Sequence, residues 1–261
     1  MNSAPIGVFD SGVGGISVLN DLRRLLPVED YIYYSDAGYC PYGGRPQHEI
    51  QARAVAITEF LLDRGAKIIV VACNTATIAA VEYLRATYAV PFIGMEPAIK
   101  PAIEQTRSGV VGVMATGAAL AGERFHRLLA QQRADVRIIT QPCPGLVEQV
   151  EAGDLEGPRT RALVEQYTRP LIEAGADTLV LGCTHYPFLR PLIAGAVGPA
   201  VALLDTGAAV ARQTRRVLER EGLLAERADP GAVEWHTSGD PDQLSVLVAQ
   251  LAEDGQLQRQ V

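Results

Sequence analysis

Lysine is nearly absent: of 261 residues, only Lys67 and Lys100 carry an ε-ammonium. A pyridoxal Schiff base would have to use one of them. Neither follows an apolar run at a strand's carboxyl end, so no such cofactor is expected. The four histidines, at 48, 126, 185 and 236, show no ligand spacing with the four cysteines at 40, 73, 143 and 183, and no metal site is expected either. No CxxC pair occurs, which argues against a disulfide framework and against a dithiol redox motif. Positive charge is short, at 23 Lys and Arg against 30 Asp and Glu for a net −7, so the clustered basic surface that nucleic acid requires is not expected. No uninterrupted apolar run approaches the ~18 residues of a membrane span. The segment "MNSAPIGVFD" has no basic stretch ahead of an apolar run, so no signal peptide is expected. The chain reads as soluble and cytoplasmic, with neither membrane nor nucleic acid as a partner.

What is present fills a core. Apolar residues make up 48% and charged residues only 20%, the balance of a folded chain rather than a disordered one. The length allows one large domain or two small ones. Short apolar runs at 6–9, 31–34, 68–72, 91–93, 110–114, 136–139, 178–181 and 201–204 are separated by longer segments with helical spacing. Strands alternating with helices indicate an α/β fold with a mostly parallel sheet covered on both faces.

A faint internal repeat points to two similar halves. "GVFDSG" from Gly7 resembles "GVMATG" from Gly112, an offset of 105 (112 − 7). "YIYYSD" from Tyr31 falls opposite "VRIITQ" from Val136, again 105 (136 − 31), and "IVVACNT" around Cys73 resembles "LVLGCTH" around Cys183 at 110 (183 − 73). Chance likeness between buried strands is the alternative, but the polar residues at the strand ends match as well.

Those strand ends hold the candidate chemistry. In open parallel sheets, ligands bind beyond the carboxyl ends of the strands, where helix N-termini also point. Asp10, Ser11, Asp36, Cys73, Asn74, Thr116, Cys183, Thr184 and His185 all follow apolar runs directly. Two such edges facing each other would make a cleft with one cysteine on each wall. A thiol can be a packed core group, a metal ligand, a redox partner or a base. The first reading suits Cys40 and Cys143. With metal and dithiol patterns lacking, acid–base work is left for Cys73 and Cys183, each beside Asn or Thr at a strand end. A helix N-terminus lowers a thiol's titration below its usual ~8.5. One thiolate and one thiol on opposite faces of a carbon would invert a stereocentre. Asp10 could assist one and His185 the other, since residues i and i+2 of an extended segment point the same way.

Other stretches are less specific. "DSGVGG" at 10–15 matches only the first half of a dinucleotide fingerprint, but its glycine-rich turn can offer backbone N–H groups to a carboxylate. "CPYGGRP" at 40–46 reads as a surface turn or as a lip over the cleft, and "ARQTRRVLER" at 211–220 as a solvated helix face.

With "IGVFDSGVGGISVL", "SDAGYCPYG", "VVACNTAT", "GVMATG", "CPGLVEQVEAG", "LVLGCTHYPFL" and "TSGD" in this order from residue 6 to about 240, the chain resembles the glutamate racemase family. The resemblance implies two flavodoxin-like lobes, 1–97 with 208–261 returning to it and 98–207, with the active site in the cleft between them. It implies no metal and no coenzyme. Cys73 and Cys183 would be the two bases, the first working on the D-isomer with Asp10 and the second on the L-isomer with His185. Ser11, Tyr42, Gly43, Asn74, Thr75, Thr116 and Thr184 match substrate-holding positions, as do Asp10 and His185. Asp36 and Glu151 match supporting acidic positions. The partner implied is glutamate, with a homodimer left open, and the role implied is supply of D-glutamate for peptidoglycan, cell-wall biogenesis and cell shape.

Two departures stand out: Ala119 where many relatives have threonine, and "LLDTG" at 203–207 where Asp-Ser is more usual. They bear on affinity more than on the bases. A two-cysteine racemase of another acid, and a binding module that closes on an amino acid, remain rival readings here.

Overall fold

Residues 4–130 and 135–253 are described in the computed structural model of the chain. Each expected apolar run forms a strand. These are β1 (Ile6–Asp10), β2 (Tyr31–Ser35), β3 (Ile68–Val71), β4 (Phe92–Ile93), β5 (Val110–Ala115), β6 (Arg137–Pro142), β7 (Thr178–Leu181) and β8 (Ala202–Leu204). Of these, β1, β3 and β7 bury every side chain, as strands covered on both faces do, whereas the edge strand β6 stays partly exposed. A ninth, β9 (Val233–Thr237), was not expected. Its sequence VEWHT alternates, with Val233 and Trp235 buried and Glu234 and His236 half-buried, which is the pattern of an edge strand rather than an apolar run.

The intervening helices are α1 (Ile16–Leu25), α2 (Gln47–Asp63), α3 (Asn74–Thr87), α4 (Ile99–Gln105), α5 (Gly117–Ala121), α6 (Glu123–Ala130), α7 (Leu146–Glu151), α8 (Pro158–Glu173), α9 (Arg190–Val197), α10 (Gly207–Arg220) and α11 (Pro241–Leu251). Short 3-10 turns cover Ala37–Tyr39, Tyr42–Gly44 and Tyr186–Leu189, and the Cys40–Pro41 peptide is cis. No described helix is long and apolar enough to cross a membrane.

The chain divides into two units, one running to Met95 and resuming at Gly207, the other spanning Glu96–Thr206. The first holds a sheet in the order β4-β3-β1-β2-β9, the second a sheet in the order β6-β5-β7-β8, every pairing parallel. Leaving out β9, both read second, first, third, fourth, a flavodoxin-like order. The first unit's core is built on Phe9, Ile57, Leu61, Ile69, Val71 and Leu84, the second's on Ile99, Ile103, Val111, Val113 and Val180.

The two units also share a turn. After α2, Gly65 takes a left-handed φ of 80°, its N–H donating to Leu62 O at 2.9 Å and that of Ala66 to Leu61 O at 3.0 Å. After α8, Gly175 takes φ 88°, with Gly175 N–H on Ile172 O at 2.9 Å and Ala176 N–H on Leu171 O at 3.1 Å. These paired bonds make the same left-handed helix stop, and each leads straight into the third strand of its unit.

Candidate active site

In an order of second, first, third and fourth, the chain reverses direction of travel between the first and third strands, and ligands bind beyond their carboxyl ends. In the first unit that point lies between β1 and β3, whose ends carry Asp10 with Ser11 and Cys73 with Asn74. In the second it lies between β5 and β7, followed by Thr116 and by Cys183 with Thr184.

Cys73 is extended (φ −140°, ψ 122°) and caps α3, its Sγ accepting the Ala76 N–H at 3.4 Å. A sulfur at the positive end of a 14-residue helix is favoured as thiolate. The Cys73 S–H donates to Ser11 Oγ at 3.8 Å, and the Ser11 hydroxyl in turn donates to Asp10 Oδ1 at 3.3 Å, so a hydroxyl links thiol to carboxylate. Asp10 is fully buried. Its Oδ1 accepts the Ser11 N–H at 2.7 Å and its Oδ2 the Gly15 N–H at 2.5 Å. The glycine-rich turn thus serves the chain's own carboxylate. Gly15 is required there, since a Cβ would stand 2.8 Å from both Asp10 Cβ and the Tyr33 hydroxyl.

Asn74 and Thr75 open α3 and are buried, and Asn74 Oδ1 has no hydrogen-bond partner. A buried amide oxygen in that state is an acceptor open to a ligand's N–H. Tyr42, buried, packs in the same cluster as Cys73, and half-buried Gly43 follows it. Burial, and then the Asp36 carboxylate, push the Tyr42 phenol well above its ordinary range, so it stays a donor.

In the second unit, Cys183 Sγ lies 3.7 Å from His185 Nδ1, and His185 Nε2 is 2.6 Å from Glu151 Oε1. The contact does not come from strand alternation. His185 is helical (φ −76°, ψ −31°), and a tight turn in which Tyr186 N–H donates to Cys183 O at 3.1 Å brings the ring back over the sulfur. Glu151, the last residue of α7, fixes which imidazole nitrogen faces the carboxylate. Thr184 is buried. Thr116 caps α5, its Oγ1 accepting the N–H of buried Ala119 at 3.3 Å. The tight passage at Gly182 is again obligatory, a Cβ there standing 2.9 Å from Met114 O.

The remaining cysteines differ. Cys143 is buried, and burial followed by the nearby Cys183 charge pushes its thiol far up; its S–H donates to Gln141 O at 3.2 Å. Cys40 is half-exposed. Both lysines lie away from these strand ends: Lys67 precedes β3 and is paired with Glu29 at 2.5 Å, and Lys100 is exposed on α4.

Comparison with known proteins decides the family. The model of Asp/Glu/hydantoin racemases matches residues 6–214. A glutamate racemase of Herpetosiphon aurantiacus is 63% identical over 92% of this chain and 95% of its own. Among solved structures, a glutamate racemase isoform of Bacillus anthracis superposes with TM-score 0.87 at 31% identity, covering 96% of this chain and 94% of that one. The Escherichia coli glutamate racemase, in complex with L-glutamate and the activator UDP-MurNAc-ala, gives 0.85 at 34% identity over 95% of each chain. The chain belongs to the Asp/Glu/hydantoin racemase family.

Its activity is therefore that of an isomerase acting as an amino-acid racemase. For a racemase of this family, sequence reading passed over one group, Arg53, and one role, that of Ser11. Arg53 of α2 pairs with Asp36, and Ser11 stands between Asp10 and Cys73 as a link rather than only a substrate contact. Arg53 sits among ordinary helix residues in "QARAVA", with no local signal; its partner lies 17 positions away.

Proposed function

We propose that this racemase interconverts L- and D-glutamate by proton transfer between two thiols, with Cys73 and Cys183 as the acid–base pair. The observation that carries this is chemical. Each unit ends its third strand in a buried cysteine at the switch point, and each cysteine has its own polar assistant, Ser11 with Asp10 for Cys73 and His185 with Glu151 for Cys183. Glutamate as substrate is supported by the relatives' identity and by the L-glutamate bound in the Escherichia coli enzyme.

On this reading one thiolate removes the α-proton while the other thiol delivers a proton to the opposite face, and the reverse reaction exchanges their roles. Positioned proton transfer supplies only about 10²–10⁴-fold. Preorganised donors must therefore stabilise the carbanion as well. Ser11, Tyr42, Gly43, Asn74, Thr75, Thr116 and Thr184 hold the substrate, the free Asn74 Oδ1 suiting its ammonium. Asp36 and Glu151 play supporting roles, each in its own unit. The D-glutamate formed supplies peptidoglycan in the cytoplasm, and through it cell-wall biogenesis and cell shape.

The test is racemisation of L-glutamate in deuterated water, with L-aspartate as a control and no added coenzyme. Early D-glutamate should carry solvent deuterium at the α-carbon while recovered L-glutamate stays largely unlabelled. Early product that retains the original α-proton in quantity overturns the two-thiol reading, and turnover of aspartate alone overturns the substrate. Rescue of a D-glutamate auxotroph by the expressed chain tests the cellular role.

A further inference from the structure

Arg53 reaches from α2 to the residues framing Cys73. Its Nε donates to Asp36 Oδ2 at 2.9 Å and its Nη2 to Asp36 Oδ1 at 2.6 Å, a bidentate fork. Asp36 is fully buried, whereas the Arg53 side chain keeps 23% exposure. Asp36 Oδ2 also accepts the Tyr42 hydroxyl at 2.5 Å, and the Asp36 N–H donates to Asp10 O at 3.0 Å. The guanidinium lies 3.9 Å over the Tyr39 ring, and Arg45 Nε holds Tyr39 O at 2.6 Å. One side chain therefore ties both 3-10 turns, 37–39 and 42–44, to the wall that carries Asp10 and Cys73.

We propose that Arg53 is a positioning residue for racemisation, fixing the Asp36–Tyr42 pair and with it the 37–44 segment beside Cys73. The inference rests on the reading of Cys73 as an acid–base group. A buried carboxylate needs a paired cation or a full set of hydrogen bonds. Without the guanidinium, the buried carboxylate loses its bidentate partner and draws its segment toward water, which releases the Tyr42 hydroxyl. Charge by itself does not suffice. An ammonium is a point donor that makes neither the fork nor the stack on Tyr39.

The test compares Arg53→Met, Arg53→Lys and the double variant Asp36→Asn/Arg53→Met with the parent chain, by glutamate kinetics in both directions and by amide hydrogen exchange of residues 37–45. In Arg53→Met, kcat/KM should fall about 10²-fold, the cost of a displacement near 1 Å. The loss should show in kcat per folded molecule, not only in KM. Arg53→Lys should fall by a smaller factor, and the double variant, in which no charge is left unpaired, should recover part of the loss. Exchange at 37–45 should speed up at least tenfold in Arg53→Met and stay unchanged in β3. Folded variants with parental kcat/KM overturn the proposal, as does unchanged exchange. Should Arg53→Met fail to fold, Arg53→Lys and the double variant decide by the same readouts. A parent chain inactive on both isomers would sink the racemisation reading alone, since the exchange data would still show whether Arg53 fixes the segment.

Discussion

The two units place a thiol at the same point of the same strand order and support it by different means. Cys73 has the start of a long helix, one N–H and the Ser11 hydroxyl; Cys183 is followed by a tight turn and has an imidazole backed by a carboxylate. A helix terminus acts on the sulfur at every pH, whereas an imidazole changes its own charge near neutrality. The backbone repeats; the acid–base environment does not. That is the arrangement a reaction needs if one thiol must start ionised and the other protonated, with the roles exchanged in reverse.

The largest expected effect tests whether both thiols are needed. Cys73→Ser and Cys183→Ser should each lower kcat/KM by ~10³-fold or more in both directions, serine being a far weaker base. Cys40→Ser and Cys143→Ser should keep most activity, the latter because a hydroxyl can still donate to Gln141 O. Equal losses in all four folded variants would mean the cysteines had been wrongly sorted.

The asymmetry itself comes next. His185→Asn should cost toward the lower end of the ~10²–10⁴-fold span of positioned proton transfer, more strongly from L-glutamate than from D-glutamate. Glu151→Gln should cost less with the same bias, and Asp10→Asn should show the opposite bias. The pH dependence of kcat/KM in each direction is the measurement, and its limbs belong to the coupled pair. Identical directional losses in His185→Asn and Asp10→Asn would erase the distinction between the two thiols.

At the amino ends of the third strands the units differ again, at positions 110 apart (177 − 67). Lys67 precedes β3 in a buried pair with Glu29, their side chains 4% and 1% exposed. Lys67→Met should destabilise the chain by about 3–5 kcal/mol in urea unfolding, because a charge is stranded, while Glu29→Met/Lys67→Met should cost far less. Asp177 precedes β7, where its carboxylate accepts the Thr106 hydroxyl at 2.6 Å and the Arg107 and Ser108 N–H groups at 2.7 Å. Burial alone would raise that carboxyl, but these hydrogen bonds outweigh it and bring it from 3.8 down to about 2. A folded value below the unfolded one contributes stability above about pH 4, lost as pH falls through about 2. Asp177→Asn should remove a small part of the acid loss seen in the parent chain; equal acid slopes would show that the site contributes nothing.

Much of this was legible in the chain. Eight strands showed as apolar runs, most clearly the central β1, β3 and β7 that bury every side chain, and β9 escaped because its sequence VEWHT alternates apolar with polar residues. The repeat, the two thiols and most polar strand-end residues could be named because strand-to-helix turns are local. Cys73, Asn74 and Thr75 are consecutive, and so are Cys183, Thr184 and His185. The cause of the Cys183–His185 contact was misread, since a turn rather than extended alternation makes it.

Residue order alone determined eight of the nine described strands, their parallel arrangement and which short segments carry the chemistry, because burial and turn formation act over a few residues. Tertiary structure decided which distant groups meet. Glu151 reaches His185 from 34 positions away, and Arg53 reaches Asp36 from 17. Lys67 finds Glu29 across 38, and β9 returns to β2 from the far end of the chain. Pairings of that kind leave no periodic mark, since a buried charge requires only that a partner arrive and not that it lie nearby in sequence.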